Sequence, residues 1–298
     1  MLRLQELVRE PNTEELPLAE GRRLLVRHAA MVGRDQPIGA VHDVTVGVLP
    51  ARLYVPSKAS ATGPLLVFFH GGGWVYGDLD SHDAVCRFLA EHSGVRVLSV
   101  DYRLAPEHPF PAAYDDAVTA YRWVASHAGD YGGDPGRLAV GGDSAGGNLA
   151  AVAALAAARE GLPLALQLLV YPATDVSGTT ESKRLFGHGF YLTQEFIDQA
   201  LDQYVPNHAD RKDPRVSPLL AEVPPGLAPA YVATAGFDPL RDEGEAYARY
   251  LADAGTKVEL KRFPDQIHGF LNIVGVGRTA RAGTAQVAAA LARALGGT

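Results

Sequence analysis

Six short runs of almost unbroken apolar residues recur along this chain, at 64–70, 95–101, 137–141, 166–171, 230–234 and 258–263. Most are separated by longer segments whose apolar residues return at helical spacing, at 81–92, 113–128, 145–159, 240–254 and 279–295. Strands without polar alternation are buried on both faces, as they are in a parallel sheet covered by helices on each side. The alternation therefore predicts an α/β fold with a mostly parallel central sheet flanked by helices. Residues 45–54 are expected to add an antiparallel hairpin at one edge. Two stretches fall outside the pattern: 1–40, which reads as one or two amphipathic helices, and about 178–215, a charged helical insert. Together they are expected to form a helical cap over one large domain spanning 41–298, a size that a single core sustains.

Charge narrows the partners. The chain has 27 Lys and Arg against 34 Asp and Glu, a formal net charge of −7. With no basic block to grip a phosphate backbone, nucleic acid is excluded as a partner. The single cysteine, Cys86, lies in an apolar-periodic stretch and reads as a small buried hydrophobe. At the amino terminus, charges from Arg3 to Glu15 interrupt the leucines, so the apolar core of a signal peptide is missing. No apolar run approaches the ~20 residues of a membrane span. A cytoplasmic location is expected.

Gly142-Asp-Ser144-Ala145-Gly146 follows the run 137–141 and opens the helix at 145–159. In that strand–turn–helix setting, G-x-S-x-G holds its serine on a sharp, strained turn with Oγ exposed, which makes Ser144 a candidate nucleophile. A serine helix cap after a glycine turn is the plainer reading of the same residues. A phosphate-cradling loop fits less well, because the Lys-Ser/Thr pair of a P-loop is missing and Asp143 would repel the anion. His70-Gly71-Gly72-Gly73-Trp74 directly follows the first run, so backbone amides without side chains stand at a strand end, where they can converge on an anion. The alternative is a flexible turn, although three glycines make that entropically expensive.

A nucleophilic serine needs a base delivered from another loop above the same sheet edge. Of the ten histidines, His268 follows the last run with Gly269 beside it, and it is the candidate. His28, His82, His92 and His127 lie in helical patterns, and His42, His108, His188 and His208 in loops or the insert. His70 is better suited to shaping the glycine loop than to taking a proton. No histidine pair with a carboxylate has metal-ligand spacing, so no metal is expected. For the carboxylate that orients the base, Asp238 follows the run 230–234, with a helix cap before Pro239 as the competing role. Asp242 and Glu243 fall inside the next helix and Asp265 shares the loop of His268, whereas Asp238 comes from a neighbouring strand end.

Taken together, these motifs resemble the bacterial hormone-sensitive-lipase-like carboxylesterases of the α/β-hydrolase fold. His70 to Trp74 resembles the family's HGGG motif, and Asp101-Tyr-Arg-Leu-Ala-Pro-Glu-His-Pro-Phe-Pro-Ala112 its loop after the fourth strand. Gly142 to Gly147 is similar to its nucleophile elbow, and Asp238-Pro-Leu240 and His268-Gly-Phe270 to its acid and base motifs. The order Ser144, Asp238, His268 is also that of α/β-hydrolases. The similarity runs from about residue 45 to the end. It implies hydrolysis of short- to medium-chain small-molecule esters through an acyl-enzyme, with Gly72, Gly73 and Ala145 donating oxyanion N–H groups and with no cofactor. Inactive relatives that serve as plant hormone receptors lack the histidine that this chain has at 268. A serine peptidase or amidase and a non-catalytic small-molecule receptor remain the alternatives, and a homodimer is left open. The insert carries Phe186, Phe190, Tyr191, Leu192 and Phe196, apolar groups that the sheet does not need, and these are the expected substrate-binding residues.

Overall fold

The computed structural model describes residues 13–296. Its sheet has eight strands: β1 (Ala40–Val46), β2 (Leu49–Val55), β3 (Gly63–Phe69), β4 (Arg96–Val100), β5 (Gly133–Asp143), β6 (Leu166–Val170), β7 (Ala230–Phe237) and β8 (Val258–Ile267). They lie in the order β1-β2-β4-β3-β5-β6-β7-β8. β2 runs antiparallel to both β1 and β4, and every other neighbouring pair is parallel. The expected α/β-hydrolase architecture is the observed one.

The two-residue period of the strands sorts the core into two layers. Leu65, Val67 and Phe69 of β3 pack with Ala117 of α3 (Ala112–His127) and Leu149 of α4 (Ala145–Glu160). Leu66 and Phe68 face the other way, into a cluster with Leu89 of α2 (Asp83–Ser93) and Leu291 of α8 (Thr279–Leu295). All nine are at most 1% exposed, so each Leu, Val or Phe among them contributes ~1.5–3 kcal/mol by leaving water. The remaining helix of the main body, α7 (Arg241–Asp253), joins the α3 and α4 side.

Three strands run further than their apolar runs foretell. β5 begins at Gly133, where Asp134, Pro135 and Gly136 hide the strand signal and the pairing with β3 shifts register between Gly63 and Leu65. β7 and β8 continue to Phe237 and Ile267 past two strand breakers, Gly236 and Pro264. The ladder passes them through a register shift between Ala235 and Phe237, and β8 is an edge strand, where a proline is tolerated. That extension carries the paired residues Phe237 and Ile267 right up to Asp238 and His268.

Outside the alternation stand α1 (Leu18–Gly33) and, within the insert, the short α5 (Glu181–Phe186) and α6 (Gln194–Tyr204). Residues 1–12 of the N-terminal segment lie outside the described residues. Thr193 Oγ1 donates to Glu14 Oε1 at 2.9 Å, joining the start of the insert helix to the N-terminal turn. No helix among the described residues is long and apolar enough to cross a membrane.

Arg22 pins α1 to the body. Its guanidinium donates to Val75 O and Ala105 O, both at 2.9 Å, and to both carboxylate oxygens of Glu107 at 2.8 Å. The Arg22 hydrogen bonds hold the Glu107 carboxyl down at about 2. Because the folded value is depressed, this contribution is complete above the ordinary value of 4.5 and is lost as pH falls toward 2. Hydrogen exchange should therefore show α1 losing protection through that window, and Arg22→Ala should expose α1 at neutral pH while leaving the sheet protected.

Candidate active site

The turn from β5 into α4 sets the geometry. Ser144 sits at φ 57°, ψ −118°, a conformation that L-residues avoid and that persists only when its surroundings impose it. Ser144 N donates to Val170 O at 2.9 Å, and Ser144 O accepts from Asn148 N at 3.0 Å. Tight seating of α4 on β3 completes the constraint: a Cβ at Gly146 would stand 1.9 Å from Phe69 O, so only glycine fits.

Asp238 and His268 follow the ends of β7 and β8, and the pairing of Phe237 with Ile267 brings them side by side. His268 Nδ1 lies 2.8 Å from Asp238 Oδ2, and His268 Nε2 lies 3.0 Å from Ser144 Oγ. Asp238 is fully buried, and its second oxygen accepts Leu240 N at 2.8 Å, in the turn before α7; the N-cap of that helix is Leu240, so Asp238 tightens the turn and does not cap the helix. The rival carboxylates are engaged elsewhere or exposed. Asp242 accepts Ser182 N, Glu243 pairs with Lys183, and Asp265 faces solvent.

The glycine loop borders the same space. Gly72 has φ 121°, and a Cβ there would meet Tyr76 O at 2.2 Å. Gly72 O accepts Tyr76 N at 2.8 Å and Val75 N at 3.2 Å, folding the loop back on itself. His70 lies behind it, fully buried and stacked on Tyr102 at 4.3 Å, with Nδ1 2.9 Å from Gly71 O. Burial, followed by the neighbouring His82, pushes the His70 imidazole down to about 4. It braces the loop as an uncharged ring. Among the described residues no group of three or more His, Cys, Asp or Glu side chains is placed to hold a metal ion.

The sequence pattern of the α/β-hydrolase fold family matches residues 66–272. The chain belongs to this family. It is 55% identical over 279 residues to the carboxylic ester hydrolase LipN of Mycobacterium tuberculosis, across 89% of this chain and 74% of that protein. It is 41% identical over 282 residues to an ethyl acetate hydrolase of Pseudomonas putida, across 91% of this chain and 89% of that one. A solved esterase of Pyrobaculum calidifontis superposes with a TM-score of 0.91 at 38% identity, covering 97% of each chain. An α/β-hydrolase from the metagenome of Lake Arreo reaches 0.93 at 40% identity, covering 99% of this chain and 96% of that one. The chain thus falls in the hormone-sensitive-lipase-like branch, as a serine hydrolase of the carboxylic ester class.

In this α/β-hydrolase, two cavities flank Ser144. The larger, about 110 Å³, is bounded by Gly71 to Gly73, Ser144 and His268, by Thr13, Glu14, Leu25 and His28 of the N-terminal segment, and by Tyr191, Leu192 and Phe196 of the insert. The smaller, about 40 Å³, shares Gly73, Ser144, Leu192 and Phe196 and adds Ala145. Of the expected substrate-binding residues, Phe186 and Phe190 border neither cavity. Their rings meet edge to face at 5.3 Å and cover the half-exposed Phe237 at 5.7 and 5.6 Å. The physical reason is that Phe237, a strand-end aromatic facing solvent, needs a cover. Arg241 lies over Phe186 at 5.0 Å and closes the cluster.

One site residue escapes sequence reasoning altogether. Asp143, read there only as a group that repels phosphate, is buried and joins three loops. Its Oδ1 accepts Gly71 N at 2.9 Å and lies 3.2 Å from His82 Nε2, while its Oδ2 accepts Asn272 Nδ2 at 3.2 Å and Tyr171 OH at 3.4 Å. Burial opposes its ionisation, yet His82, the Gly71 amide and His268 outweigh burial and hold the carboxyl below its ordinary range. The partners are 72 and 129 residues away along the chain, so no local pattern announces them. Asp143→Asn sets an amide against the Asn272 amide. It should lower kcat/KM on a nitrophenyl ester about 10²-fold, the loss expected when a positioning contact slips by about 1 Å, while the protein still melts cooperatively.

Proposed function

We propose that this enzyme hydrolyses short- to medium-chain carboxylic esters through Ser144, His268 and Asp238. The observation that carries the reading is the continuous hydrogen-bonded chain from Ser144 Oγ through His268 to Asp238, with spacings of 3.0 and 2.8 Å. Ser144 Oγ attacks the ester carbonyl carbon as His268 Nε2 takes its proton. Asp238 holds the Nδ1 proton, which fixes the tautomer and stabilises the imidazolium. Backbone N–H groups of Gly72, Gly73 and Ala145 receive the oxyanion. His268 then returns the proton to the departing alkoxide, and water repeats the sequence on the acyl-enzyme. The names of LipN and ethyl acetate hydrolase support an ester rather than an amide substrate. A histidine in contact with the serine argues against a receptor that binds without turnover.

The N-terminal segment and the insert are read as the two halves of a lid. Support comes from their shared border on the larger cavity and from the Thr193–Glu14 hydrogen bond between them.

Ser144→Ala should abolish ester turnover and covalent labelling by an organophosphonate, with the melting transition retained. Label found on another serine would overturn the assignment. Asp238→Asn should lower kcat by something approaching ~10⁴-fold, as expected when the orienting aspartate becomes an amide. Asp242→Asn, whose carboxylate is turned to the insert, should lose far less.

A further inference from the structure

The two cavities beside Ser144 differ in their relation to the base. His268 borders the larger one, and the lining of the smaller one does not include it. A leaving alkoxide must stand next to His268 to receive its proton, so the alcohol arm of the ester belongs in the larger cavity. The acyl chain is left with the smaller.

Most of that smaller cavity is apolar, with Ala173, Val176, Ile197, Leu201 and Leu240 in its wall. Apart from Ser144 itself, two residues break the pattern: Lys183 of α5 and Glu243 of α7. Lys183 Nζ stands 2.7 Å from Glu243 Oε2, with side-chain exposures of 10% and 2%. The ammonium also donates to Gly178 O at 2.9 Å and Asp175 O at 3.2 Å, so two backbone carbonyls hold it beside the carboxylate. Glu243 Oε1 accepts Thr174 N at 2.8 Å and Asp175 N at 3.3 Å. Neither group can swing away without leaving its partner buried and unpaired, and an alkyl chain offers no hydrogen bond in exchange.

We propose that the Lys183–Glu243 ion pair is the acyl-length limit of this esterase: a fixed charged wall that admits short acyl chains and turns longer ones away. The inference rests on the reading of Ser144 and His268 given above. The mechanism uses neither residue, and their chemistry marks a boundary rather than a reacting group.

The test measures kcat/KM on nitrophenyl acetate, butyrate, hexanoate and octanoate, and in parallel on ethyl, butyl and hexyl acetates. The wild type should fall away beyond butyrate in the acyl series and stay level in the alcohol series. The double variant Lys183→Met, Glu243→Gln removes both charges and keeps an acceptor for the Thr174 amide, and an unchanged melting transition and acetate kcat/KM check that the local fold survives the loss of the Lys183 donors to Gly178 O and Asp175 O. It should raise the hexanoate-to-acetate ratio by at least about fourfold, the worth of one buried methylene. Lys183→Ala, Glu243→Ala, which also opens space, should raise it further. A hexanoate-to-acetate ratio unchanged in the Met/Gln variant would overturn the proposal, as would a change confined to the alcohol series. Ser144→Ala in the same assay separates the two levels: residual turnover there defeats the underlying reading, whereas its loss alongside an unmoved ratio defeats only the length limit.

Discussion

The contact between the first turn of α4 and the end of β3 is the constraint on which the rest of the site depends. Gly146 lies so close to Phe69 O that no side chain fits between them. That single approach does two things. It forces the chain to turn sharply at Ser144, which accounts for the strained backbone there, and it brings the elbow against the segment where His70 to Gly73 leave β3. The serine and the glycine loop beside it are thereby fixed by one packing event. Strain at Ser144 is held in place by the buried faces of β3, β5 and α4, whose apolar burial is much larger than the ~1–3 kcal/mol that such a backbone costs.

Three buried carboxylates then fasten the surrounding loops, and each does a different job. Asp238 joins the end of β7 to the histidine after β8, Asp143 joins the elbow to the glycine loop and to Asn272, and Glu243 joins α7 to the loop at Thr174 and to the insert. A carboxylate serves here because it accepts several hydrogen bonds at once, and burial makes each of those bonds hard to break: removing one partner of a buried charge costs ~3–5 kcal/mol. The sheet supplies the frame, and these acids set the loop ends upon it.

What the sequence reveals follows from the range over which each interaction acts. Strands and helices read correctly because apolar periodicity is local, and Ser144, Asp238 and His268 stand out because each directly follows a strand end in a distinctive turn. The reach of β7 and β8 is hidden, since Gly236 and Pro264 look like stops until the register shift carries the pairing past them. Asp143 is hidden for another reason: its partners come from the glycine loop after β3, the N-cap of α2 and the loop after His268, and only the folded sheet brings them together. Phe186 and Phe190 lie away from the two cavities beside Ser144, packed on Phe237. An aromatic in a cap-like insert has two apolar surfaces available, a cavity or an exposed strand end, and composition does not distinguish them.

That ambiguity also explains how the insert is arranged. α5 is tied down on one side by Ser182 Oγ donating to Pro239 O at 2.7 Å and on the other by the Lys183 ion pair, so its aromatic end is turned toward Phe237. α6 has no such tie to α7. Its N-cap Thr193 instead donates to Glu14, which leaves Phe196 free to pack on Tyr76 at 5.4 Å over the glycine loop. One helix of the insert thus seals the strand end that carries Asp238, and the other reaches across the mouth above Ser144. The polar residues at their first turns, Ser182, Lys183 and Thr193, decide which does which, because they fix where each short helix starts and the aromatic residues follow from there.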